Sequence, residues 1–327
     1  MSIFINDYIV HILDTTTSMP IISDTLDFND PTFKEYLIQT IKKSFYSDDI
    51  KTCFLTPDSN IHKICQETNW NLKTISATIA KEIFFIMHRN LEIPKADCVF
   101  GHANIDNDDF LFMLKLDHKE LFTHYVETRD NKPNVHIITN TSLFPAIPPK
   151  VLEGFFVSKN NFIVKVLESK YLVDGIKDYY LSTQILHCTE NSSPRQKATR
   201  LLRVAEKVAN LYYSEEDNME QHISSTVYSE LQTEEPLSVK SLGTKFFALN
   251  PVAQKEFFDR LSAINISEDE TLSLSEKFQR KFHKQAIKSR SGIEIKIPTQ
   301  LYSNEDEVEF INNPDGTISL LIKNITI

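Results

Sequence analysis

The residues of this 327-residue sequence with the clearest chemical potential are clustered cations. Five lie between positions 195 and 207, where Glu206 is the only acidic residue: Arg195, Lys197, Arg200, Arg203 and Lys207. Arg200, Arg203 and Lys207 have i, i+3 and i+7 spacing, which places them on one face of a helix. A row of such groups can bind phosphate oxygens, so the spacing predicts a surface that follows a nucleic-acid backbone. The solvated side of an amphipathic helix explains the pattern equally well.

A second cluster lies between residues 275 and 297, where seven lysines and arginines face only Glu276 and Glu294. Six of these cations are predicted phosphate contacts: Arg280, Lys281, Lys284, Lys288, Arg290 and Lys296. The run that ends at Arg290 is predicted to be a basic helix, with Phe278 and Phe282 as core anchors at i and i+4. We predict that this segment also contacts nucleic acid.

Residues 293–297 alternate as a half-buried strand does, with isoleucines on one face and Glu294 and Lys296 on the other. A Glu-x-Lys triplet also occurs in one class of metal-dependent nucleases, which require an upstream carboxylate to share a magnesium ion. The candidates for that carboxylate are Asp106, Asp108 and Asp109. A charged pair on a solvated face is the favoured interpretation, and a nuclease is kept as an alternative.

Other catalytic motifs are absent from the sequence. The six glycines are not clustered, so there is no glycine-rich phosphate loop, and no G-x-S-x-G motif occurs. The ten histidines and four cysteines lack zinc-like spacing, and the acidic clusters match no calcium loop. We therefore expect no catalytic residues, no metal and no cofactor.

Hydrophobic periodicity predicts an α+β fold in three parts. Residues 1–168 are expected to form an α+β domain with a mostly antiparallel sheet and helices, residues 169–275 a helical region, and residues 276–327 the basic helix followed by a β-hairpin. The last hairpin should turn at 313–316, which reads Asn-Pro-Asp-Gly.

Within the first part, short strands are expected over residues 2–28, divided by a turn region at 15–18. A helix should begin at Pro31, where Asn29 or Asp30 can act as the N-cap. The remaining predicted elements are helices near 59–68 and 71–91, hairpins over 96–116 and 154–166, and strands at 121–127 and 135–139 that extend the same antiparallel meander. From about residue 171 to 264 the period is helical almost throughout.

The net charge of −10 argues against a protein that coats DNA through bulk charge, so any such contact must use local basic patches. No apolar run reaches the roughly 18 residues that span a bilayer, and the N-terminus lacks a basic signal region. Four scattered cysteines are typical of reduced thiols. These features predict a cytoplasmic protein without a membrane partner.

Three strings in the chain resemble a known family. SGIEIKIP followed by VEFINNPDGTISLLIKNI is similar to the end of the bacterial nucleoid-associated proteins of the NdpA type. IVHILDTTTSMPIISDTLDF resembles the start of that family, and FGHANIDNDDFLFMLKLDH resembles its centre. The chain length and the position of the basic helix near residues 190–210 agree as well, so the likeness covers essentially the whole chain.

The resemblance implies a cytoplasmic protein of the nucleoid that binds DNA directly or through partners and has no assigned reaction. Together with the two basic clusters, it leads to a non-enzymatic protein that holds the DNA backbone without reading sequence. One alternative is an adaptor that binds another protein of the chromosome machinery and uses charge for steering; the other is the nuclease. The expected partners are thus DNA, proteins of the chromosome machinery, or a second copy of the chain in a homodimer.

Overall fold

The structure, a computed structural model, describes residues 2–25, 30–55, 59–129, 131–188, 192–214, 219–233, 236–288, 291–302, 304, 306–314 and 317–324. The chain forms two compact units, Met1–Ser193 and Pro194–Ile327. Helices and mainly antiparallel strands occur together, so the predicted α+β class is confirmed. The predicted division at residues 168 and 275 stays a prediction.

The N-terminal unit is built on one antiparallel sheet. Its elements are, in chain order, β1 (Ile3–Leu13), α1 (Pro31–Phe45), β2 (Lys51–Phe54), α2 (Asn60–Glu67), α3 (Leu72–Arg89), β3 (Ala96–Ile105), β4 (Asp108–Asp117), β5 (Lys119–Arg129), β6 (Lys132–Leu143), β7 (Glu153–Ser158), β8 (Ile163–Leu167), β9 (Tyr171–Val173), β10 (Ile176–Asp178) and a π-helical turn (Leu181–Ile185). Six strands form the main sheet in the order β1-β3-β4-β7-β8-β2.

Helices cover both faces of this sheet. On one face α1 packs through Leu37, Ile41 and Phe45, and on the other α2 and α3 contribute a larger apolar cluster. Because both faces are covered, nearly every residue of β3, β4 and β7 is buried. Gly101 in β3 is required by this packing, since a Cβ atom there would lie 2.4 Å from the backbone oxygen of Asp7.

The predicted N-terminal elements are largely confirmed, with tighter limits. Asp30 caps α1 by accepting hydrogen bonds from the backbone N–H groups of Thr32 and Phe33. The β3–β4 hairpin turns at Asp106 and Asn107, both with positive φ, as a two-residue type I′ turn requires. Short strands were expected over residues 2–28; in the part of this range that is described, residues 2–25, the chain forms one long strand, β1, and a bridge from Ile12 to Ile21.

One expectation for this unit is wrong. β5 and β6 pair with each other in a two-stranded sheet of their own and do not extend the main sheet. Alternating polar and apolar residues predict a strand but not which strands pair with it, so the same pattern is expected in a separate hairpin and in an extension of the main sheet. We call this hairpin the β5–β6 ribbon.

The C-terminal unit is a helical cluster followed by two small hairpins. Its elements are α4 (Pro194–Tyr212), α5 (Met219–Leu231), β11 (Leu237–Ser238), α6 (Val239–Phe246), α7 (Pro251–Ser262), β12 (Thr271–Leu272), α8 (Glu276–Gln279), a 3-10 turn (Arg280–Phe282), β13 (Lys284–Lys288), β14 (Glu294–Pro298), α9 (Thr299–Tyr302), β15 (Val308–Asn312) and β16 (Ile318–Ile322). α4 packs against α5 and α7, and its buried side chains join those of α5, α6 and α7 in one core. The closing hairpin β15–β16 is confirmed; Asp315 and Gly316 lie outside the described residues.

Two helix predictions are corrected. Residues 171–178 form the β9–β10 hairpin, whose turn is Asp174–Gly175 with positive φ at both positions. The predicted basic helix ends at Phe282, and Lys284–Lys288 is a strand paired with β14. Phe278 and Phe282 do anchor the short helical part, as expected, with ring centroids 5.8 Å apart. A carbonyl group at the end of this short helical part is satisfied by Thr299, whose backbone N–H donates to the His283 carbonyl oxygen at 2.9 Å.

Candidate nucleic-acid interface

The face of α4 that points away from the core carries three cations. Ala198, Leu201, Ala205, Val208 and Ala209 form the buried side of the helix. Arg200, Arg203 and Lys207 are exposed on the opposite side, as their spacing predicts. We call these three residues the α4 basic face. Exposed Glu206 lies at the edge of this face, three residues after Arg203, and its carboxylate interacts with the Arg203 charge.

The other two predicted α4 contacts lie outside this face. Lys197 forms an ion pair with Glu270, and both side chains are largely buried from solvent. Arg195 is partly buried in the first turn, where its carbonyl oxygen accepts a hydrogen bond from the Thr199 hydroxyl at 2.8 Å. The structure thus places Arg195 and Lys197 at the sides of the helix, away from the α4 basic face.

The helical turn at residues 276–282 displays two further predicted cations. Arg280 lies 3.5 Å from the Glu276 carboxylate, and both side chains are mostly exposed. An exposed pair of this kind contributes little stability, so Arg280 can exchange its partner for a phosphate at small cost. The Lys281 ammonium lies 4.9 Å from the centre of the Phe278 ring, which holds it at the surface.

The β13–β14 hairpin turns the remaining cations to one side. Lys284 pairs with Pro298 and Ala286 with Lys296, and these positions alternate with Gln285 and Ile297, which are buried. Lys284, Lys296 and Glu294 therefore share the exposed face, with Lys296 and Glu294 3.3 Å apart. We call this surface the β13–β14 face.

Two predicted contact residues cannot be placed on these surfaces. The backbone of Lys288 belongs to β13, opposite Glu294, but its side chain is not described. Arg290 lies outside the described residues. α5 packs against α4 and against the Arg280–Phe282 turn.

Comparison with known protein families identifies the chain. Residues 9–327 match the family described as nucleoid-associated protein YejK. The chain belongs to this family. The resemblance in the three sequence strings is thereby confirmed. The family description associates the protein with the nucleoid. A search of curated proteins found no match.

The helices α6 and α7 have the order of elements found in one DNA-binding motif, and the charges on α7 bear on whether it could contact phosphate. α6 and α7 are joined by residues 247–250, and a helix, short turn and helix also occur in DNA-binding helix-turn-helix motifs. On α7, however, exposed Lys255 is offset by exposed Asp259, and Arg260 pairs with Glu256 at 2.6 Å. Because this helix has no excess of cations, we assign no phosphate contacts to it.

One exposed cation was left out of the predicted contacts. Lys277 lies in α8, and no partner for its side chain occurs among the described residues. Its place in the 275–297 cluster was the available signal.

The nuclease alternative can be compared with the geometry around Glu294. Its carboxylate contacts Lys296, its neighbour on β14, while Asp106, Asp108 and Asp109 belong to the N-terminal unit. In the part of the chain that the structure describes, no three histidine, cysteine, aspartate or glutamate side chains converge as metal ligands.

None of the helices in the described part of the chain has the length and apolar character of a membrane span.

Proposed function

We propose that this nucleoid-associated protein binds the DNA backbone directly and without reading base sequence, and that it catalyses no reaction on the DNA. The observation that carries the proposal is the α4 basic face, whose three exposed cations outnumber Glu206, the one acidic residue of α4. In a chain with a net charge of −10, such a face is a local exception that suits a polyanionic partner.

The geometry of α4 supports backbone binding. Arg200 and Lys207 are seven residues apart, which is about 10 Å along a helix axis. One DNA strand presents roughly three phosphates over that length, so the number of cations equals the number of phosphates they could contact. Two arginines add planar donors suited to phosphate oxygens. Charge of this kind positions a protein on the duplex but carries no base-specific information.

The β13–β14 face and the turn before it supply a second, weaker contact region. Lys284 has no ion-pair partner among the described residues, whereas Arg280 and Lys296 each have a carboxylate nearby. A phosphate must compete with Glu276 and Glu294 for these two cations. We therefore expect this region to add affinity to the α4 basic face and not to replace it.

The proposal is tested by titrating the purified full-length chain into two duplexes of equal length and unrelated sequence, with fluorescence anisotropy over a series of salt concentrations. We expect equal affinities for both duplexes and a logarithmic affinity that falls linearly with the logarithm of salt. Absence of binding at low salt would contradict direct contact and support the adaptor alternative. Strong preference for one duplex would contradict backbone recognition.

A further inference from the structure

A cavity of about 360 Å³ lies at the edge of the main sheet, beside the first turn of α1. It is lined by three aromatic side chains, two aliphatic ones and one carboxylic acid: Tyr8, Phe33, Phe144, Val10, Ile12 and Asp97. β1 is the outermost strand on this side, so the cavity lies at the border of the core that α1 covers. The α4 basic face and the β13–β14 face belong to the C-terminal unit, so the cavity is a separate candidate site.

The register of β1 and β3 places Asp97 in these apolar surroundings. Ile12 pairs with Asp97, and the side chains of paired residues share one face of a sheet. Tyr8 and Val10 are alternate residues with Ile12 along β1, so they lie on the same face. Leu116, the partner of Asp97 on β4, is buried in the core under α1. Asp97 therefore occupies the position of a core residue, and only 6% of it is exposed.

The contacts of the Asp97 side chain leave its charge in place. Nε2 of His118 lies 3.2 Å from Oδ1 of Asp97, but neither atom makes a hydrogen bond of good geometry within the described residues. Nδ1 of His118 is also buried without an acceptor there, so a protonated ring would have an unsatisfied N–H group. A neutral His118 avoids this cost and does not cancel the carboxylate. Burial raises the pKa of Asp97, which means that a cation beside it would relieve an existing cost.

The aromatic rings of the cavity suit a positive charge. The ring centroids of Tyr8 and Phe33 are 5.7 Å apart, and those of Phe33 and Phe144 are 5.3 Å apart. The rings are inclined at 59° and 48°, so they do not form one flat stack. The face of an aromatic ring is electron-rich and attracts a cation. Inclined rings beside a carboxylate are typical of the aromatic cages that bind ammonium groups.

We propose that this cavity binds a small organic cation, whose alkylated ammonium group lies among the rings and faces the Asp97 carboxylate. A primary ammonium group suits the site less well, because its three N–H donors need acceptors and the side chains of Val10 and Ile12 offer none. A quaternary ammonium group has no N–H donor and contacts the rings through its methyl groups. An uncharged molecule would leave the Asp97 carboxylate buried without a cation. The proposal is independent of the proposed DNA binding.

The aromatic residues of the cavity differ in burial, which decides which one to replace. Tyr8 is 2% exposed and belongs to the core under α1, so its removal would disturb folding. Phe144 directly follows the β5–β6 ribbon and is 36% exposed. A substitution at Phe144 therefore changes the wall of the cavity with little effect on the core.

The test is isothermal titration calorimetry of the full-length chain with two probes of the same shape, at constant ionic strength. One probe is choline, which carries a quaternary ammonium group. The other is its uncharged isostere, the dimethylbutanol in which a carbon atom replaces the nitrogen. Wild type should bind choline at least about tenfold more tightly than the isostere. Absence of choline binding, or equal affinity for the two probes, overturns the proposal.

Two variants locate the binding. Phe144→Leu should weaken choline binding at least about fivefold, whereas Phe85→Leu, at an exposed phenylalanine of α3, is the matched control and should bind like wild type. Asp97→Asn keeps the size of the side chain and should abolish the preference for choline over the isostere. Circular dichroism establishes that each variant is folded, and the leucine pair decides if Asp97→Asn does not fold. Equal choline affinity in the two leucine variants, or a retained preference in folded Asp97→Asn, overturns the proposal.

Discussion

A carboxylate oxygen of Glu294 and the ammonium nitrogen of Lys296 lie 3.3 Å apart on the exposed face of β14. They are two residues apart on one strand, so both point to the same side as Lys284 on β13. Both side chains are about half exposed, and an ion pair in that setting is weak. Glu294 therefore limits how well the β13–β14 face attracts a phosphate without contributing much to folding.

Replacing Glu294 with glutamine should strengthen DNA binding. The change removes a negative charge from the β13–β14 face and frees Lys296 to contact a phosphate. Each added phosphate contact steepens the salt dependence of the logarithmic affinity by about 0.9, and we expect an increase of that order in anisotropy titrations.

The control for this variant is Glu309→Gln, which removes the carboxylate of a 2.7 Å ion pair with Lys323 in the closing hairpin and changes the net charge equally. An equal gain from both substitutions would show that net charge alone matters.

The nuclease alternative is tested by incubating the protein with plasmid DNA and magnesium. Cleavage by wild type that disappears in Glu294→Gln would favour the enzyme.

His11 should make the fold less stable in acid. Its Nδ1 accepts the backbone N–H of Ser23 at 3.1 Å, so Nε2 carries the proton and donates to the Ser76 hydroxyl at 2.9 Å. Burial lowers the pKa of His11 to about 4. In the unfolded chain His11 takes up a proton near pH 6.5, whereas in the folded chain it does so only near pH 4. The folded state therefore has its full stability with respect to His11 above pH 6.5 and loses stability as the pH falls towards 4.

The measurement is the free energy of unfolding in urea at several pH values, for wild type and His11→Gln. The free energy of unfolding should decrease between pH 6.5 and pH 4 in both proteins, because other groups titrate in both. The decrease should be smaller in the variant by up to about 3 kcal/mol, because glutamine does not take up a proton. Parallel pH profiles would contradict a neutral, buried His11.

Lys115 should be essential to the stability of the main sheet. Its side chain is fully buried and lies 2.7 Å from both Glu153 and Asp117. Burial alone would lower the pKa of Lys115, but these two carboxylates raise it above its ordinary value, so the ammonium stays charged. Lys115→Met leaves Glu153 without its cation and should reduce the free energy of unfolding by about 3–5 kcal/mol. Urea titration measures this loss.

The comparison variant is Lys63→Met, at an exposed position of α2, which should change stability by no more than about 0.5 kcal/mol. The double variant Lys115→Met with Glu153→Leu should recover part of the loss, since the fully buried Glu153 charge is removed with its partner and only the more accessible Asp117 lacks a cation. A loss below about 1 kcal/mol for Lys115→Met would contradict this role.

Local signals in the sequence predicted much of the N-terminal unit and the α4 basic face. Asp30 and Pro31 mark the start of α1, and the i, i+3, i+7 spacing of Arg200, Arg203 and Lys207 gives their common exposed face. Both depend on residues close together in the chain. The Asp174–Gly175 turn was an equally local signal and should have predicted the β9–β10 hairpin.

The remaining features depend on distant contacts. Lysines have good helix propensity, so the local sequence of Lys284–Lys288 predicts a helix. The segment is a strand because it pairs with β14, and the Thr299 backbone N–H bonds to the last carbonyl group before that strand, at His283. The alternation in β5 and β6 predicts two strands but does not say whether other strands flank them. Pairing partners far apart in sequence decide both cases.

The most direct measurement for the central claim is the salt dependence of DNA binding after charge reversal of the α4 basic face. In Arg200→Glu/Arg203→Glu/Lys207→Glu, loss of three phosphate contacts should flatten the slope by roughly 2.7 and weaken binding strongly. Lys42→Glu/Lys63→Glu/Lys81→Glu is the matched control, with the same change in net charge at exposed positions of the N-terminal unit. We predict a near wild-type slope for this control. Equal slopes in wild type and the α4 variant would contradict DNA binding by this face.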